Sequence, residues 1–419
     1  MPSLNGRMIE IMSPAGSWAA LRAAVNAGAN SVYFGVGQLN MRAKGAVNFD
    51  IKDLEEIASY CTKNDVKTYL TVNTILYNHD ITLMKQVIDE AKRAGITAII
   101  ASDLSAIQYT HSIGMELHIS TQCNISNIEA VKFFANFADV VVLARELPLQ
   151  QIADICTAIK EENITGPSGK LVQVEVFAHG ALCVAISGKC YMSIATENSS
   201  ANRGACRQNC RHSYKVIDQE TGDELVLENE YIMSPKDLCT VTFLDKILDS
   251  GVSVLKLEGR GRPAEYVDTV TRVYREAAEA YLAGEFTKEK GQAWTTELET
   301  VFNRGFWQGG YYLGKKLGEW SGVYGSKTTT KKILLGRISH YFVKAQVAEC
   351  TIETNEVDLG DKLLITGPTT GVLYVTPEEI RLDDTAVKHA KKEDVISFVV
   401  PERVRKTDKV YIIKNKEDD

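Results

Sequence analysis

The stretch KTYLTVNTILYNHDITLMKQVIDEAKRAGITAIIAS, residues Lys67–Ser102, contains a complete strand–helix–strand unit. Its two ends, Lys67–Asn73 and Ala98–Ser102, are short apolar runs rich in β-forming residues. Between them, apolar side chains from Met84 to Ala91 recur every three or four residues, which is the spacing of one helix face. This segment therefore predicts one βα unit followed by the next strand of a parallel sheet.

The same alternation of apolar runs and helical spacing continues along most of the chain. Eight βα units in about 285 residues predict a closed TIM-type (β/α)8 barrel, and a doubly wound open sheet is the alternative. The predicted strands are Met8–Met12, Ser31–Val36, Lys67–Asn73, Ala98–Ser102, Glu116–Ser120, Asp139–Ala144, Val172–Phe177 and Ser253–Glu258.

The connection between predicted strands seven and eight is much longer than a single helix needs. It contains five of the nine cysteines. From about Lys331 onward the pattern changes to short strands separated by turn residues, which is typical of a small β-barrel. We therefore expect a barrel domain over residues 1–330, with an insertion at about 179–252, and a second domain over residues 331–419.

The overall charge excludes a broad positive surface. Lys and Arg total 47 against 54 Asp and Glu, a net charge of −7, so any nucleic-acid site must be local. The first residues lack the apolar core of a signal peptide, and we find no apolar run of about 18 residues that would span a bilayer. We expect a cytoplasmic protein without a membrane segment.

Polar side chains from six predicted strands converge on the barrel mouth, where βα-barrel enzymes place their active sites. A buried salt-bridge network is one explanation, but an apolar core would serve stability as well, so we favour a site for a small anion. Arg145 offers a planar fork for a carboxylate and Lys256 a point charge. We expect the following roles: proton transfer by Glu175, His179 and Glu258, and ligand binding by Glu10, Asn73, Gln122, Arg145 and Lys256.

Four cysteines lie in loop-like sequence, namely Cys183, Cys190, Cys206 and Cys239. Thiols in loops of a protein that is not secreted suggest a metal site, and four thiolates satisfy either zinc or an iron–sulfur cluster. Zinc ribbons usually pair their ligands as C-x2-C, whereas the spacings here are 7, 16 and 33 residues. This favours a cluster, with unpaired thiols as the alternative, while the role of Cys210 stays open.

Several motifs resemble the collagenase-like "U-type" peptidase family. The longest are EVFAHGALC at Glu175–Cys183 and GKCYMS at Gly188–Ser193. Further matches span nearly the whole barrel: SPAGS at Ser13–Ser17, STQCN at Ser120–Asn124, LAREL at Leu143–Leu147, SPKDLC at Ser234–Cys239, KLEGR at Lys256–Arg260 and FNRGF at Phe302–Phe306.

The resemblance implies more than proteolysis. Branches of this family resemble oxygen-independent hydroxylation proteins that hold a 4Fe-4S cluster and act on tRNA wobble uridine, on a ribosomal-RNA cytidine or on ubiquinone. In the two RNA branches it implies prephenate as a cosubstrate. A barrel with one short β-barrel is similar to the tRNA branch, in which a related partner chain is possible. The implied ligands are Cys183, Cys190, Cys206 and Cys239, with Cys210 as the alternative fourth ligand.

Three functions remain open at this point. The first is prephenate-dependent hydroxylation of the tRNA wobble uridine to 5-hydroxyuridine, with Arg203, Arg207 and Arg211 as a local RNA-binding cluster. The second is a peptidase acting on unfolded or collagen-like chains. The sequence contains neither H-E-x-x-H nor G-x-S-x-G, so that activity would need a scattered centre such as Cys123 with His118 or His179. The third is a non-catalytic RNA-binding or metal-bearing partner.

Overall fold

The structure is a computed structural model that describes residues 3–4, 7–222, 224–225, 231–314 and 319–416. Two large hydrophobic cores organise the described residues, one built from side chains between Ile9 and Tyr312 and the other from side chains between Leu335 and Ile412. A third, smaller cluster, which includes Met12 and Tyr69, is formed by strand residues of the barrel. None of the helices in the described part of the chain combines the length and apolar character needed to span a bilayer.

The first core surrounds a closed barrel of eight parallel strands, as predicted. The last strand pairs with both the first and the seventh, which closes the sheet on itself. The strands are β1 Glu10–Pro14, β2 Ser31–Gly35, β3 Lys67–Val72, β4 Ala98–Ala101, β5 Glu116–Ile119, β6 Val140–Val142, β7 Gln173–Gly180 and β8 Val254–Leu257. β1 begins two residues later than expected, and the other strands overlap their predicted ranges.

Helices cover the outside of the barrel. The helix after β3 buries Met84, Val87, Ile88 and Ala91 against the sheet and ends where Gly95 takes a left-handed conformation. The helices are α1 Trp18–Asn26, α2 Leu54–Lys63, α3 Ile81–Ala94, α4 Leu104–Ser112, α5 Ile128–Ala135, α6 Leu149–Glu161, α7 Leu244–Asp249, α8 Ala264–Leu282 and α9 Lys288–Glu299.

The long connection between β7 and β8 folds over the carboxyl ends of the strands. It contains a short helix, Met192–Glu197, and a two-residue ladder between Val216–Ile217 and Glu224–Leu225. It then returns through the strand Asp237–Cys239, which pairs antiparallel with β7 and parallel with Phe306–Gln308. The insertion is therefore joined to the barrel by backbone hydrogen bonds at the end of its path.

The C-terminal region is an antiparallel β-sheet with its own core. The strands are Thr330–Phe342, Val347–Ile352, Lys362–Gly367, Gly371–Val375, Ile380–Leu382, Thr385–Val387, Val395–Val399 and Lys409–Asn415. Short strands therefore follow Lys331, as the change of sequence pattern predicts. The hairpin Ile380–Leu382 with Thr385–Val387 was not predicted, because its strands are only three residues long and carry little apolar alternation.

Candidate active site

A cavity of about 190 Å³ lies between the carboxyl ends of the barrel strands and the insertion. The barrel supplies its floor and walls, including Asn73, Gln122, Arg145, Lys256 and Glu258, which are five of the eight residues expected at the mouth. The insertion supplies the roof. The cavity therefore stands where (β/α)8 barrels carry their active sites.

Four thiols of the insertion line this cavity: Cys183, Cys190, Cys206 and Cys210. Burial raises the pKa of Cys210 to about 11, and the other three thiols act on it electrostatically in the same direction. Among the described residues, no group of three or more His, Cys, Asp or Glu side chains is placed to hold a metal ion. The thiols thus surround one space without converging on one point.

Cys239 does not line this cavity, although it was the expected fourth ligand and Cys210 only the alternative. It ends the strand Asp237–Cys239, has no exposed surface and belongs to the barrel core. Burial raises the pKa of its thiol to about 12, and Tyr274 of α8 is its side-chain hydrogen-bond partner. Cys210 therefore lies with the other three thiols, and Cys239 does not.

An ion pair fixes the cavity floor. Lys256 Nζ lies 2.6 Å from Glu175 Oε1. The two residues, Lys256 and Glu175, are 6% and 0% exposed. Burial lowers the pKa of Lys256, while the charge of Glu175 opposes that change. Lys256 lines the cavity, but Glu175 lies below it inside the barrel, so Glu175 supports Lys256 and does not face the ligand space.

Glu258 is held as an anion by arginine. Its Oε1 lies 2.7 Å from Nη2 of Arg42, and its Oε2 accepts a hydrogen bond of 3.3 Å from the backbone N–H of Ala181. Burial alone would raise the pKa of this carboxyl, but the charges of Arg42, Arg262 and Arg145 hold it at about 2. Glu258 is consequently ionised near neutral pH and is poorly suited to donate a proton there.

Arg145 is the cation with the most freedom to bind a ligand. Its guanidinium stacks over the ring of Phe177 at 4.0 Å, and within the described residues no carboxylate forms a salt bridge with it. The buried Nε of Arg145 and the buried Oε1 of Gln122, both on cavity-lining residues, have no hydrogen-bond partner. Unsatisfied buried donors and acceptors are costly, so this wall is prepared for a polar ligand.

Two cavity arginines were missed by the sequence analysis. Arg260 donates to Asn40 Oδ1 at 3.1 Å and to Thr71 Oγ1 at 2.8 Å, and burial lowers its pKa to about 10. Arg42 reaches the site from the loop after β2. Arg260 stands in the KLEGR motif and offered a signal, whereas Arg42 lies in a loop whose path over the mouth is set by tertiary contacts.

His179 is buried and does not line the cavity, so it is not placed for the proton transfer that the sequence analysis expected. Lys256 pairs with Phe177 and the next residue of β8 pairs with His179, which leaves Ala178 as an extra residue in β7. Such a bulge interrupts the alternation of side chains. The His179 ring packs instead against Tyr274 and two other aromatic rings, and burial lowers its pKa to about 3.

Glu10 is also misplaced by the sequence analysis. It is the first residue of β1 and accepts hydrogen bonds from Lys67 Nζ at 3.0 Å and from the Tyr69 hydroxyl at 2.7 Å. Lys67 is likewise the first residue of β3. Both lie at the amino ends of the strands, opposite the cavity, where charged pairs contribute to stability and not to ligand binding.

The expected RNA-binding arginines mostly serve the packing of the insertion. Arg203 pairs with Asp80 at 2.7 Å and stacks over Tyr77 at 4.0 Å, which ties the insertion to the barrel. Arg211 donates to the backbone oxygens of Pro235 and Leu182, both at 2.5 Å. Arg207 is exposed and lies 3.4 Å from Glu197. Arg203 and Arg211 are therefore not a free basic surface.

Comparison with known proteins identifies the family. The profile of peptidase family U32 matches residues 16–322, which is most of the chain. The chain belongs to peptidase family U32. This assignment agrees with the motifs at Glu175–Cys183 and Gly188–Ser193, which lie in the matched region.

U32 relatives carry names from two kinds of chemistry. A protein of Porphyromonas gingivalis named collagenase is 54% identical over 415 residues, covering 99% of this chain and all of that protein. A tRNA hydroxylation protein of Bacillus subtilis is 31% identical and covers 72% of this chain and 71% of its own length. The 23S rRNA 5-hydroxycytidine synthase of Escherichia coli is 32% identical, covering 72% of this chain and 45% of its own length.

The buried ion pair gives a stability prediction. Lys256→Met removes the hydrogen-bonded cation from the Glu175 carboxylate, which has no exposed surface, so we expect a loss of about 3–5 kcal/mol in the free energy of unfolding. Lys256→Met/Glu175→Leu should recover most of this loss. Urea unfolding followed by tryptophan fluorescence reports the first core alone, because every tryptophan precedes residue 330: Trp18, Trp294, Trp307 and Trp320. Equal stabilities for the single and double variants would contradict the pairing.

The buried imidazole of His179 gives a pH prediction. Its folded-state pKa of about 3 lies below its ordinary value of 6.5, so the unfolded chain binds more protons between these values. The contribution of neutral, buried His179 to the free energy of unfolding is therefore fully present above pH about 6.5 and is lost as the pH falls towards 3. His179→Phe should flatten this acid slope. The urea midpoints of both proteins are compared at each pH, so that the effect of the carboxylates present in both proteins cancels. An equal dependence of the two midpoints on pH would contradict the assignment.

Proposed function

We propose that this U32 protein performs oxygen-independent, prephenate-dependent hydroxylation of the tRNA wobble uridine to 5-hydroxyuridine, with an iron–sulfur cluster as its cofactor. One observation carries the proposal: four thiols and the cations of the barrel mouth line the same cavity. The tRNA and ribosomal-RNA hydroxylation relatives, at 31% and 32% identity, support the choice of an RNA base as substrate.

The donor set fits a four-thiolate cluster better than a single zinc ion. A zinc site brings all four sulfurs to about 2.3 Å from one point, and no described group is placed in that way. A cubane spreads its ligands, because each thiolate binds a different iron. Cys183, Cys190, Cys206 and Cys210 line one cavity, which supports the proposal that they bind one shared group. When bound, such a cluster supplies one-electron chemistry.

The charges of the cavity support an anionic cosubstrate. The lining carries Arg42, Arg145, Arg211, Lys256 and Arg260 against one carboxylate, that of Glu258. Two of these cations are suited to a dicarboxylate such as prephenate: Arg145, whose fork has no salt-bridge partner among the described residues, and Lys256, whose ammonium points from the floor. Gln122 and Asn73 would orient the ligand through their amide groups.

The substrate nucleotide would enter from a single-stranded loop. Proteins that modify a base act on an unpaired or extruded nucleotide, which they hold in a closed pocket. The wobble position lies in the anticodon loop, where the base is available without melting a duplex. The insertion is the element that closes the cavity above the barrel, so it would meet the RNA.

A peptidase activity is the second candidate, because the collagenase-named relative is 54% identical. The cavity gives it little support. No histidine stands among the described lining residues, and Glu258 is fixed as an anion by Arg42. Cys123 donates to the Ser102 carbonyl at 3.5 Å, and burial raises its pKa to about 11. A nucleophilic thiol needs a lowered pKa and an adjacent base.

The cofactor proposal is tested by single alanine variants of the five insertion cysteines. The full chain, purified without oxygen, should be brown and contain about four irons and four acid-labile sulfides per chain. Cys183→Ala, Cys190→Ala, Cys206→Ala and Cys210→Ala should each lose most of the iron, whereas Cys239→Ala keeps it because this thiol does not line the cavity. Iron retained by Cys210→Ala but lost from Cys239→Ala would contradict the ligand set.

The activity proposal is tested in a strain that lacks this chain. Mass spectrometry of tRNA nucleosides should show loss of 5-hydroxyuridine and its recovery with the wild-type protein. Arg145→Gln should lower recovery by about 10-fold or more, because a charge-assisted fork is lost, while iron content stays unchanged. Unchanged tRNA in the deletion strain, together with cleavage of fluorescent gelatin by the purified protein, would establish the peptidase instead.

A further inference from the structure

A second, smaller cavity of about 70 Å³ adjoins the active-site cavity. The two share Arg42, Ala181, Gln208 and Glu258, so their walls are continuous. The smaller cavity adds Arg262 and Arg304 together with glycines of two loops. Its lining is almost entirely polar, since Ala181 is the one apolar side chain larger than hydrogen among the described lining residues.

Three guanidinium groups line this space against one carboxylate. Arg42 lies 2.7 Å from Glu258, and Arg304 lies 3.4 Å from Asp237, whereas Arg262 stacks over the ring of Phe302 at 3.6 Å. No described carboxylate forms a salt bridge with Arg262. The arginines also act on one another: after burial and the opposing charge of Asp237, repulsion from Arg211 and Arg262 helps to lower the pKa of Arg304. The cavity therefore holds uncompensated positive charge.

The backbone around the arginines is shaped for close approach. The cavity is bordered by the loop Glu258–Pro263, which follows β8 and contains Gly259 and Gly261. A Cβ atom at Gly261 would lie 2.7 Å from the carbonyl oxygen of Gly45, so only glycine fits there without moving the neighbouring backbone. In (β/α)8 barrels the loops after strands seven and eight frequently hold a phosphate group.

We propose that the Arg42–Arg262–Arg304 cavity binds a phosphodiester of the RNA backbone next to the nucleotide whose base enters the larger cavity. The inference rests on the proposed function, because that function supplies the RNA. A space of about 70 Å³ holds one compact anionic group and not a ring-bearing dicarboxylate. The base and the phosphate of one nucleotide are joined through the ribose. Two adjoining cavities can therefore receive the base and the phosphate of neighbouring parts of one RNA strand. Arginine forks match phosphate oxygens in pairs.

The test measures RNA binding and not hydroxylation. Anisotropy of a labelled anticodon stem–loop, titrated with the full chain at several salt concentrations, gives the affinity and its salt dependence. Arg262→Gln should weaken binding about 10-fold and reduce the slope of log Kd against log salt by about one. Arg262→Lys should keep most of the slope. Lys63→Gln, on the exposed end of α2, serves as the matched charge-removal control and should leave both quantities unchanged.

Two results would overturn the inference. One is an affinity and salt slope for Arg262→Gln equal to those of the wild type. The other is intact RNA binding combined with weaker binding of inorganic phosphate, which would assign the cavity to a free anion. Iron content, measured on every variant, verifies that the insertion is folded. Failure of the proposed function is recognised separately, since it appears as intact RNA binding together with an unchanged level of 5-hydroxyuridine in the deletion strain.

Discussion

The extra residue in strand β7 determines which side chains of that strand face the larger cavity at the barrel mouth. Before it, strand alternation directs Glu175 into the barrel to meet Lys256 and places Phe177 beneath Arg145. After Ala178 the alternation is shifted, so His179 turns to the aromatic layer under α8 and the chain leaves into the insertion. One backbone irregularity thus separates the charged floor from a buried, neutral imidazole and starts the segment that carries the four thiols.

The cavity concentrates positive charge in a chain whose net charge is −7. Burying Lys256 and Arg260 costs free energy, and only part of that cost is offset inside the chain, by Glu175 for Lys256 and by neutral oxygens for Arg260. Because these buried cations are only partly neutralised by groups of the chain, an anion bound in the cavity would be stabilised by them. A thiolate-bound cluster and a carboxylate ligand are both negative, so both would relieve the repulsion.

Periodicity was sufficient to predict the barrel, because each βα unit shows its helix face and its strand within a few residues, as in Lys67–Ser102. It also placed Lys256 and Glu258 at the mouth, since β8 is regular up to its end. It failed at His179, because a bulge leaves no mark in the apolar pattern. It failed at Glu10, because alternation identifies the face of a strand but not the end of the barrel. Arg42 and Cys210 depend on loop paths that only tertiary contacts determine.

The relatives are named for two activities, collagen cleavage and tRNA hydroxylation, and each activity would need different chemical groups in this cavity. Peptide hydrolysis needs a group that accepts a proton near neutral pH beside a nucleophile or an activated water. Here the carboxylate of Glu258 is committed to Arg42, with its pKa held at about 2, and both His118 and His179 are buried outside the described lining. Thiols and unpaired cations, by contrast, need no such base to bind a cluster and an anion. The cavity therefore gives the proposed hydroxylation more support than peptide hydrolysis, although the collagenase-named protein has the higher identity.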